Sequence, residues 1–255
     1  MDTVLTNELI REEKNVLDGQ WGTIGPNMMR AGSELAALTG TGYGLVCHSF
    51  DAAYEAALRI FAKGPGAVVL MPSLCAPSDA LVADALGFEV VFCKTGANLI
   101  RTLETLCPAV CVLDADGAES VETWSGACRK AGVPLILNGG KTLRRKTPLG
   151  ALADVAVYDL GAGSEVDAMG GGLVVTDSAD DYAVAFAVHN CGRPCGAGAT
   201  LTFDDFVGGD LRVSEWTAAA ALVILKTGTF GTPDGYAAVD MAAQPLFRDR
   251  ARVLN

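Results

Sequence analysis

Residues 151–177, ALADVAVYDLGAGSEVDAMGGGLVVTD, place two apolar runs on either side of a glycine-rich stretch, and the whole segment contains no lysine. The first run, residues 153–160, is rich in valine, as expected of a strand buried on both faces. The second run, residues 172–176, ends at a polar Asp-Ser pair and predicts another strand. Glycine between two strands lets the backbone turn sharply or come close to a ligand, so the stretch predicts a ligand loop. A flexible loop without a ligand is the alternative interpretation.

Strand-like and helix-like runs alternate along the chain around this segment. Predicted strands occupy residues 44–47, 67–71, 88–93, 109–113, 134–137, 153–160 and 172–176. Predicted helices occupy residues 27–38, 51–62, 78–86, 99–106, 119–131, 179–188 and 213–225. This alternation predicts an α/β fold with a mostly parallel, seven-stranded sheet that is covered by helices on both faces. Ligands of such sheets bind at the carboxyl ends of the strands.

Length and composition predict a globular, cytoplasmic protein. The chain has 255 residues, of which 50% are hydrophobic, so it can bury a full core. Its longest apolar runs, such as residues 66–71 and 218–225, are shorter than the roughly 20 residues needed to cross a bilayer. The N-terminus is polar and mixed in charge, unlike a secretion signal, so we expect no association with a membrane.

The acidic balance of the chain argues against nucleic-acid binding, because a phosphate backbone is held chiefly by clustered lysine and arginine. The net charge is −11 and the isoelectric point is about 4.6. The basic run at residues 141–146, KTLRRK, is interpreted as a solvated loop in preference to an anion-binding patch. The eight cysteines lack CxxC spacing and only two histidines accompany them, so we expect neither a disulfide framework nor a metal site.

Six segments carry a resemblance to a known family: WGTIGPNMMRAGSELAALTGTGYGLVCHS, GVPLILNGG, PLGALADVAVYDL, GGGLVVTD, HNCGR and LRVSEWTAAAALVIL. Taken in order and at their spacing, they resemble the DegT/DnrJ/StrS sugar aminotransferases, which are fold type I pyridoxal-phosphate (PLP) enzymes. The resemblance extends over residues 17–225. It implies an aspartate-aminotransferase-like large domain over residues 1–227 and a short C-terminal tail over residues 228–255. The C-terminal small domain of the family, which closes over the substrate, is expected to be missing.

The resemblance also indicates where the family's cofactor residues fall. In the family, a lysine forms a Schiff base with PLP, an aspartate pairs with the pyridine nitrogen, an aromatic residue stacks on the ring, and serine, threonine or asparagine side chains hold the phosphate. The Schiff-base lysine, five residues before the GEGG-like element at residues 169–172, falls on Ser164. The pyridine-pairing aspartate falls on Asn138, the stacking aromatic on Ala76, the phosphate serine on Asp159, the phosphate asparagine that acts across the dimer interface on Asp210, and the phosphate turn on Ser49, Phe50 and Asp51.

These replacements imply that PLP binding is lost, so no cofactor is expected. A serine hydroxyl cannot form an imine, and no lysine occurs between Lys146 and Lys226. An asparagine offers no full negative charge to a protonated pyridine nitrogen. Asp159 and Asp210 would repel a phosphate dianion, at a cost of the order of several kcal/mol if both are ionised and poorly solvated.

The function that follows is a catalytically degenerate homologue, a pseudoenzyme. Such a chain would serve as a scaffold or partner of a complete aminotransferase in sugar or secondary-metabolite biosynthesis. Because the family builds its active site at a dimer interface, we expect a homodimer or a heterodimer with an aminotransferase.

In two alternative functions the chain is an enzyme that acts in the same cleft. In the first, a nucleotide sugar or another small metabolite is processed without PLP, and carboxylates and an amine act as acids or bases. The groups available to this chemistry are Asp51, Asp114, Asp159 and Lys141. In the second, Lys141, which follows Asn138 by three residues, is a relocated Schiff-base lysine of a PLP-dependent aminotransferase. The candidate catalytic positions are therefore Lys141, Asp159 and Ser164.

Overall fold

The structure, a computed structural model, describes residues 3–61, 64–94, 98–196 and 208–254. Its strands are β1 (Tyr43–Cys47), β2 (Val68–Pro72), β3 (Leu74–Cys75), β4 (Glu89–Cys93), β5 (Val110–Asp114), β6 (Leu135–Gly140), β7 (Val155–Asp159), β8 (Gly172–Thr176), β9 (Val239–Asp240) and β10 (Arg252–Leu254). Its α-helices are α1 (Thr3–Gly19), α2 (Pro26–Thr39), α3 (Phe50–Phe61), α4 (Pro77–Ala85), α5 (Leu99–Leu106), α6 (Val121–Ala131), α7 (Ala179–His189), α8 (Glu215–Thr227) and α9 (Pro245–Arg248). Within these ranges, no helix has both the length and the apolar character needed to span a bilayer.

The main sheet has the strand order β1-β8-β7-β6-β5-β2-β4-β10. β8 runs antiparallel to both of its neighbours, whereas the other adjacent pairs are parallel. The predicted mostly parallel sheet is confirmed, and all seven predicted strands lie in it. The predicted strand count is wrong, because β10 adds an eighth strand at the edge beside β4. A three-residue edge strand that begins at Arg252 has no apolar run that would reveal it in the sequence.

The central strands are apolar because helices cover both faces of the sheet. Every residue of β5, β6 and β8 is buried, and β2 and β7 are buried at all but one position each. Such continuous burial is typical of parallel strands between two helical layers. Asp114, Asn138 and Asp159 interrupt the apolar pattern at or near the carboxyl ends of their strands, and they mark the edge where a site is expected.

Glu215 joins helices α2 and α8 through a buried carboxylate. Its Oε1 accepts hydrogen bonds from the backbone N–H groups of Gly25 and Met28, both at 3.0 Å, and its Oε2 accepts one from Asn27 at 2.9 Å. These donors lie at the N-terminus of α2, where intrahelical acceptors are absent and the helix dipole favours negative charge. Glu215 is 1% exposed, so its carboxylate depends on these donors in place of water.

Replacing Glu215 with alanine removes the acceptor of these three N–H groups. We expect the free energy of unfolding to fall by about 2–4 kcal/mol, measured from the urea midpoint at constant m-value. The matched control is Glu34→Ala, which removes an exposed carboxylate of α2 that pairs with Arg30. The control should change stability by less than about 0.5 kcal/mol. Equal losses in the two variants would show that Glu215 does not secure α2.

Candidate functional site

The candidate site lies at the carboxyl edge of the sheet, where β5, β6 and β7 end beside the turn from β1 into α3. Asp114 is opposite Asn138 across β5 and β6, and Asp159 is opposite Gly172 across β7 and β8. Gly172 abuts the turn before α3, since a Cβ there would collide with the Ser49 carbonyl oxygen. The fold therefore brings Ser49, Asn138 and Asp159 to one edge, at which ligands of such sheets bind.

Ser49 and Asp51 belong to the start of helix α3. The Ser49 Oγ accepts a hydrogen bond from the Ala52 backbone N–H at 3.1 Å, which is the role of a serine at a helix N-cap. Asp51 lies in the first turn of the helix and is exposed. Its carboxylate is stabilised by the positive end of the helix dipole, so it competes with any anionic ligand for that helix end.

Asn138 is fully buried and uses both ends of its amide within the protein. Its Oδ1 accepts from the Gly140 N–H at 2.9 Å, and its Nδ2 donates to Asp79 Oδ1 at 2.7 Å. The register of β6 against β7 shifts between Asn138 and Gly140, so this amide closes an irregularity in the strand. Asn138 therefore holds the end of β6 in shape and presents no carboxylate to the cleft.

Asp79 is a buried carboxyl group beside Asn138 that the sequence analysis missed. Burial raises its pKa to about 7, and the nearby Asp114 adds to this effect. Its Oδ2 and the Tyr54 hydroxyl are both buried, and neither has a hydrogen-bond partner among the described residues. Asp79 lies in the first turn of helix α4, where aspartate is common, so the sequence did not mark it as a site residue.

Asp159 accepts one hydrogen bond from its own loop and one from the distant C-terminal segment. Its Oδ1 accepts from the Gly161 N–H at 2.8 Å, and its Oδ2 accepts from the Tyr236 hydroxyl at 2.5 Å. The Tyr236 ring packs against Phe50, with ring centroids 5.7 Å apart and 28° between the planes. Burial and the hydrogen bond to Asp159 raise the pKa of Tyr236, so the phenol keeps its proton and remains the donor.

Lys141 is held by the same C-terminal segment. Its Nζ donates to Asp234 Oδ1 at 2.8 Å and lies 5.5 Å from the centroid of the Tyr236 ring. The hydrogen bond from Lys141 lowers the pKa of Asp234, as expected for a carboxylate in an ion pair. A lysine must be deprotonated to form an imine, so an ion-paired ammonium does not favour a relocated Schiff base.

The basic run at residues 141–146 is not the solvated loop expected from the sequence. Arg144 pairs with the buried carboxylate of Glu165, and Arg145 forms a bidentate pair with Asp116 at 2.6 and 2.9 Å. Fork-shaped arginine–carboxylate pairs fix geometry as well as charge. Three of the four cations of this run, Lys141, Arg144 and Arg145, are thus paired with carboxylates of the protein itself.

Ser164, at the Schiff-base position implied by the resemblance, is 1% exposed. Its hydroxyl donates to the Val166 carbonyl oxygen at 2.8 Å, and its N–H donates to the Gly161 carbonyl oxygen at 3.0 Å. The side chain therefore stabilises the backbone of its own loop. Gly231 covers this loop closely, since a Cβ there would lie 2.6 Å from the Ser164 carbonyl oxygen.

Residues 230–240, FGTPDGYAAVD, form a segment across the cleft that we call the strap. Two of its backbone N–H groups donate to carbonyl oxygens of residues 163–165, at 2.9 and 3.1 Å. Its last two residues form β9, which pairs antiparallel with β3 beside Ala76. The strap carries no periodic pattern of apolar residues, so its position could not be predicted from the sequence.

Ala76 and Asp210 lie outside the cluster around Tyr236. Ala76 is 2% exposed at the N-cap of α4 and has no side-chain group for a ligand. Asp210 pairs with Arg212 at 2.6 Å, and this hydrogen bond lowers the pKa of Asp210. Among the described residues of one chain, no hydrogen bond or ion pair joins Asp210 to Asp159. The same ranges contain no group of three or more side chains suited to hold a metal ion.

Known proteins resemble this chain in both sequence and fold. Residues 4–105 match the sequence profile of the DegT/DnrJ/EryC1/StrS aminotransferase family. The chain is 26% identical over 217 residues to 3-amino-5-hydroxybenzoate synthase of Amycolatopsis mediterranei (strain S699), covering 79% of this chain and 55% of that enzyme. The crystal structure of 3-amino-5-hydroxybenzoic acid synthase matches with a TM-score of 0.73 at 23% identity, covering 89% of this chain and 62% of the other. The crystal structure of ntda from Bacillus subtilis with bound cofactor PMP matches with a TM-score of 0.75 at 16% identity. This match covers 89% of this chain and 54% of the other.

The fold is thus that of the large domain of PLP-dependent aminotransferases, with a mostly parallel sheet between helical layers. Within this class, the chain is similar to the DegT/DnrJ/EryC1/StrS aminotransferase family, and the resemblance inferred from its motifs is confirmed. The chain spans a little more than half the length of these relatives. Because one fold supports many functions, activity has to be argued from the residues of the cleft.

Asp79 should make the stability of the protein depend on pH. Its pKa is raised from 3.8 to about 7, so the folded state keeps a proton that the unfolded chain releases. The stability from this group is fully present below about pH 4 and is lost as pH rises through about 7. We expect Asp79→Asn to lose this slope, so that its stability relative to the native chain rises by a few kcal/mol between about pH 4 and 8.

Urea unfolding of both proteins across this pH range measures the difference. His189, whose pKa burial lowers to about 4, gives a slope of the opposite sign in both proteins and cancels in the comparison. Asp84→Asn is the matched control, since Asp84 lies on the same helix and pairs with Arg250. Parallel pH profiles for Asp79→Asn and the native chain would contradict a protonated Asp79.

Proposed function

We propose that this chain is a catalytically degenerate relative of the family, a pseudoenzyme that acts in the cytoplasm as a scaffold or partner of a complete aminotransferase in sugar or secondary-metabolite biosynthesis. One observation carries the proposal: the chain's own strap fills the cleft in which a cofactor would lie. Tyr236 occupies the space between Phe50, Gly140 and Asp159.

The residues of the cleft do not fit PLP. The hydroxyl of Ser164 is bonded to its own loop, and Lys141 is ion-paired with Asp234. Asn138 is neutral and engaged at both ends, so it cannot hold a protonated pyridine nitrogen by charge. The carboxylate of Asp159 would face the cofactor phosphate, and like charges at close range repel strongly in a poorly solvated cleft.

Exposed apolar side chains between helix α1, the glycine-rich loop and helix α8 support a role in binding another subunit. Met169 is 75% exposed and Trp216 is 39% exposed, and both border a hollow that includes Leu9 of α1. Met169 also has a φ of 62°, a conformation that costs free energy for a residue with a side chain. Exposed apolar patches often mark interfaces, and the occupant we propose is a complete aminotransferase subunit or a second copy of this chain.

The first test asks whether the chain forms a Schiff base with PLP. We expect no absorbance band that borohydride reduces when the purified protein is mixed with PLP, because Ser164 cannot form an imine and Lys141 is ion-paired. A complete aminotransferase of the family, measured in parallel, provides the positive control for the band and its reduction.

Two variants of the basic run show which outcome of this test would contradict the proposal. A reducible band that vanishes in Lys141→Ala and persists in Lys146→Ala would assign Lys141 as the Schiff-base lysine and refute the pseudoenzyme. Turnover of a nucleotide sugar without PLP that is lost in Asp159→Asn would instead favour an enzyme with altered chemistry.

The second test addresses the partner. We expect the chain to co-purify with a complete family aminotransferase from its own source organism, and Met169→Asp to weaken the complex at least tenfold by burying a charge. The control is Leu246→Asp, which changes an exposed apolar residue of α9, near the opposite edge of the sheet, where Phe247 contacts Phe92. Equal affinity of the two variants, or no complex and no self-association of the native chain, would count against the scaffold role.

A further inference from the structure

Tyr236 is held in the cleft through its ring and its hydroxyl group, as a small aromatic ligand would be. Its ring lies 5.7 Å from that of Phe50, the Lys141 ammonium lies 5.5 Å from its centroid, and its hydroxyl donates to Asp159 at 2.5 Å. Ring stacking, cation–π attraction and a hydrogen bond to a carboxylate are three separate means of recognising a phenol.

Gly140 provides the space that the ring occupies. A Cβ at this position would lie 3.4 and 3.5 Å from two ring carbons of Tyr236, so a larger side chain would meet the ring. The backbone of Gly140 has a φ of 56°, which also favours glycine. The slot between Phe50 and Gly140 is therefore suited to one flat ring.

The charges around the slot disfavour anions. Burial raises the pKa of Tyr236, and the carboxylates of Asp159, Asp51 and Asp234 raise it further. The positive charge of Lys141 is already matched by Asp234. A ligand phosphate or carboxylate here would be repelled by these carboxylates, whereas a neutral hydroxy-aromatic molecule would find in Asp159 an acceptor for its hydroxyl and in Lys141 a cation beside its ring.

Opening the strap around Tyr236 would break its two backbone hydrogen bonds to residues 163–165 and its contacts with Lys141 and Asp159, but it would leave the main sheet intact. Gly231, Asp234 and Gly235 are exposed, and a Cβ at Gly235 would have no heavy atom within 4 Å. The chain that follows is anchored separately, through β9 on β3 and β10 on β4. Exposed segments with few buried contacts open locally at low free energy.

We infer that the cleft is a binding site for small hydroxy-aromatic molecules without negative charge, and that Tyr236 is its tethered occupant, which such a molecule displaces. The inference does not rest on the proposed function, because the slot recognises a phenol whether or not the chain has a partner subunit. A free ligand competes with a tethered group of high effective concentration, so the native chain binds it more weakly than a chain that lacks the Tyr236 ring.

The test uses p-cresol, which is the tyrosine side chain in free form, and isothermal titration calorimetry. We expect p-cresol to bind Tyr236→Ala at a single saturable site, at least tenfold more tightly than it binds the native chain. Toluene lacks the hydroxyl and p-cresyl phosphate carries negative charge, and each should bind Tyr236→Ala at least fivefold more weakly than p-cresol. Adding Asp159→Asn to this variant should narrow the preference for p-cresol over p-cresyl phosphate.

Equal binding of the three probes, or no gain in affinity in Tyr236→Ala, would overturn the inference. If Tyr236→Ala does not fold, amide hydrogen exchange of the native chain with and without p-cresol tests the displacement of the strap instead. Saturating p-cresol should speed exchange in residues 231–238 at least threefold and leave β5 and β8 unchanged, whereas an unchanged strap would refute displacement. The PLP absorbance test reads Schiff-base formation and not strap exchange, so the two proposals can fail separately.

Discussion

The hydrogen bond from Tyr236 to Asp159 sets the chemistry of the cleft, because it gives a donor to a carboxylate at the end of strand β7. A poorly solvated carboxylate without a donor is costly, and so is a buried phenol without an acceptor. Each group therefore supplies what the other lacks. The ion pair of Lys141 with Asp234 holds the strap at a second point, and here the strap supplies the acceptor and the cleft supplies the donor.

Carboxyl groups near the cleft lie at two depths. Asp159 lies at the strand end, whereas Asp79 lies in the interior behind Asn138 and shares a hydrogen bond with it. Asp159 accepts a hydrogen bond from a phenol, whereas the raised pKa of Asp79 keeps that carboxyl group protonated over part of the physiological range. A cleft built in this way holds a polar, uncharged group far better than a dianion.

The sequence predicted the parts of the molecule that depend on local patterns. Valine-rich runs such as β8 revealed the buried strands. The assignment of Ser164 to the lysine position of the family follows from the resemblance alone and stays a prediction. Tyr236 escaped detection because its partner Asp159 is 77 residues away and nothing periodic marks the strap. Asp79 escaped for a different reason, since its position in the first turn of α4 made it look like an ordinary helix-terminal acid. Long-range polar contacts of this kind leave no signature in a single sequence.

Because β9 and helix α8 fix the strap at its two ends, any opening of the strap is a unimolecular event within one chain. Closing a loop of about ten residues takes on the order of 10–100 ns, so an emptied slot would be refilled by Tyr236 before most solutes could reach it. The cleft would then stay shut at low solute concentration and respond to solute level alone, independently of how much protein is present. The tether therefore raises the solute concentration that is needed for half occupancy of the slot.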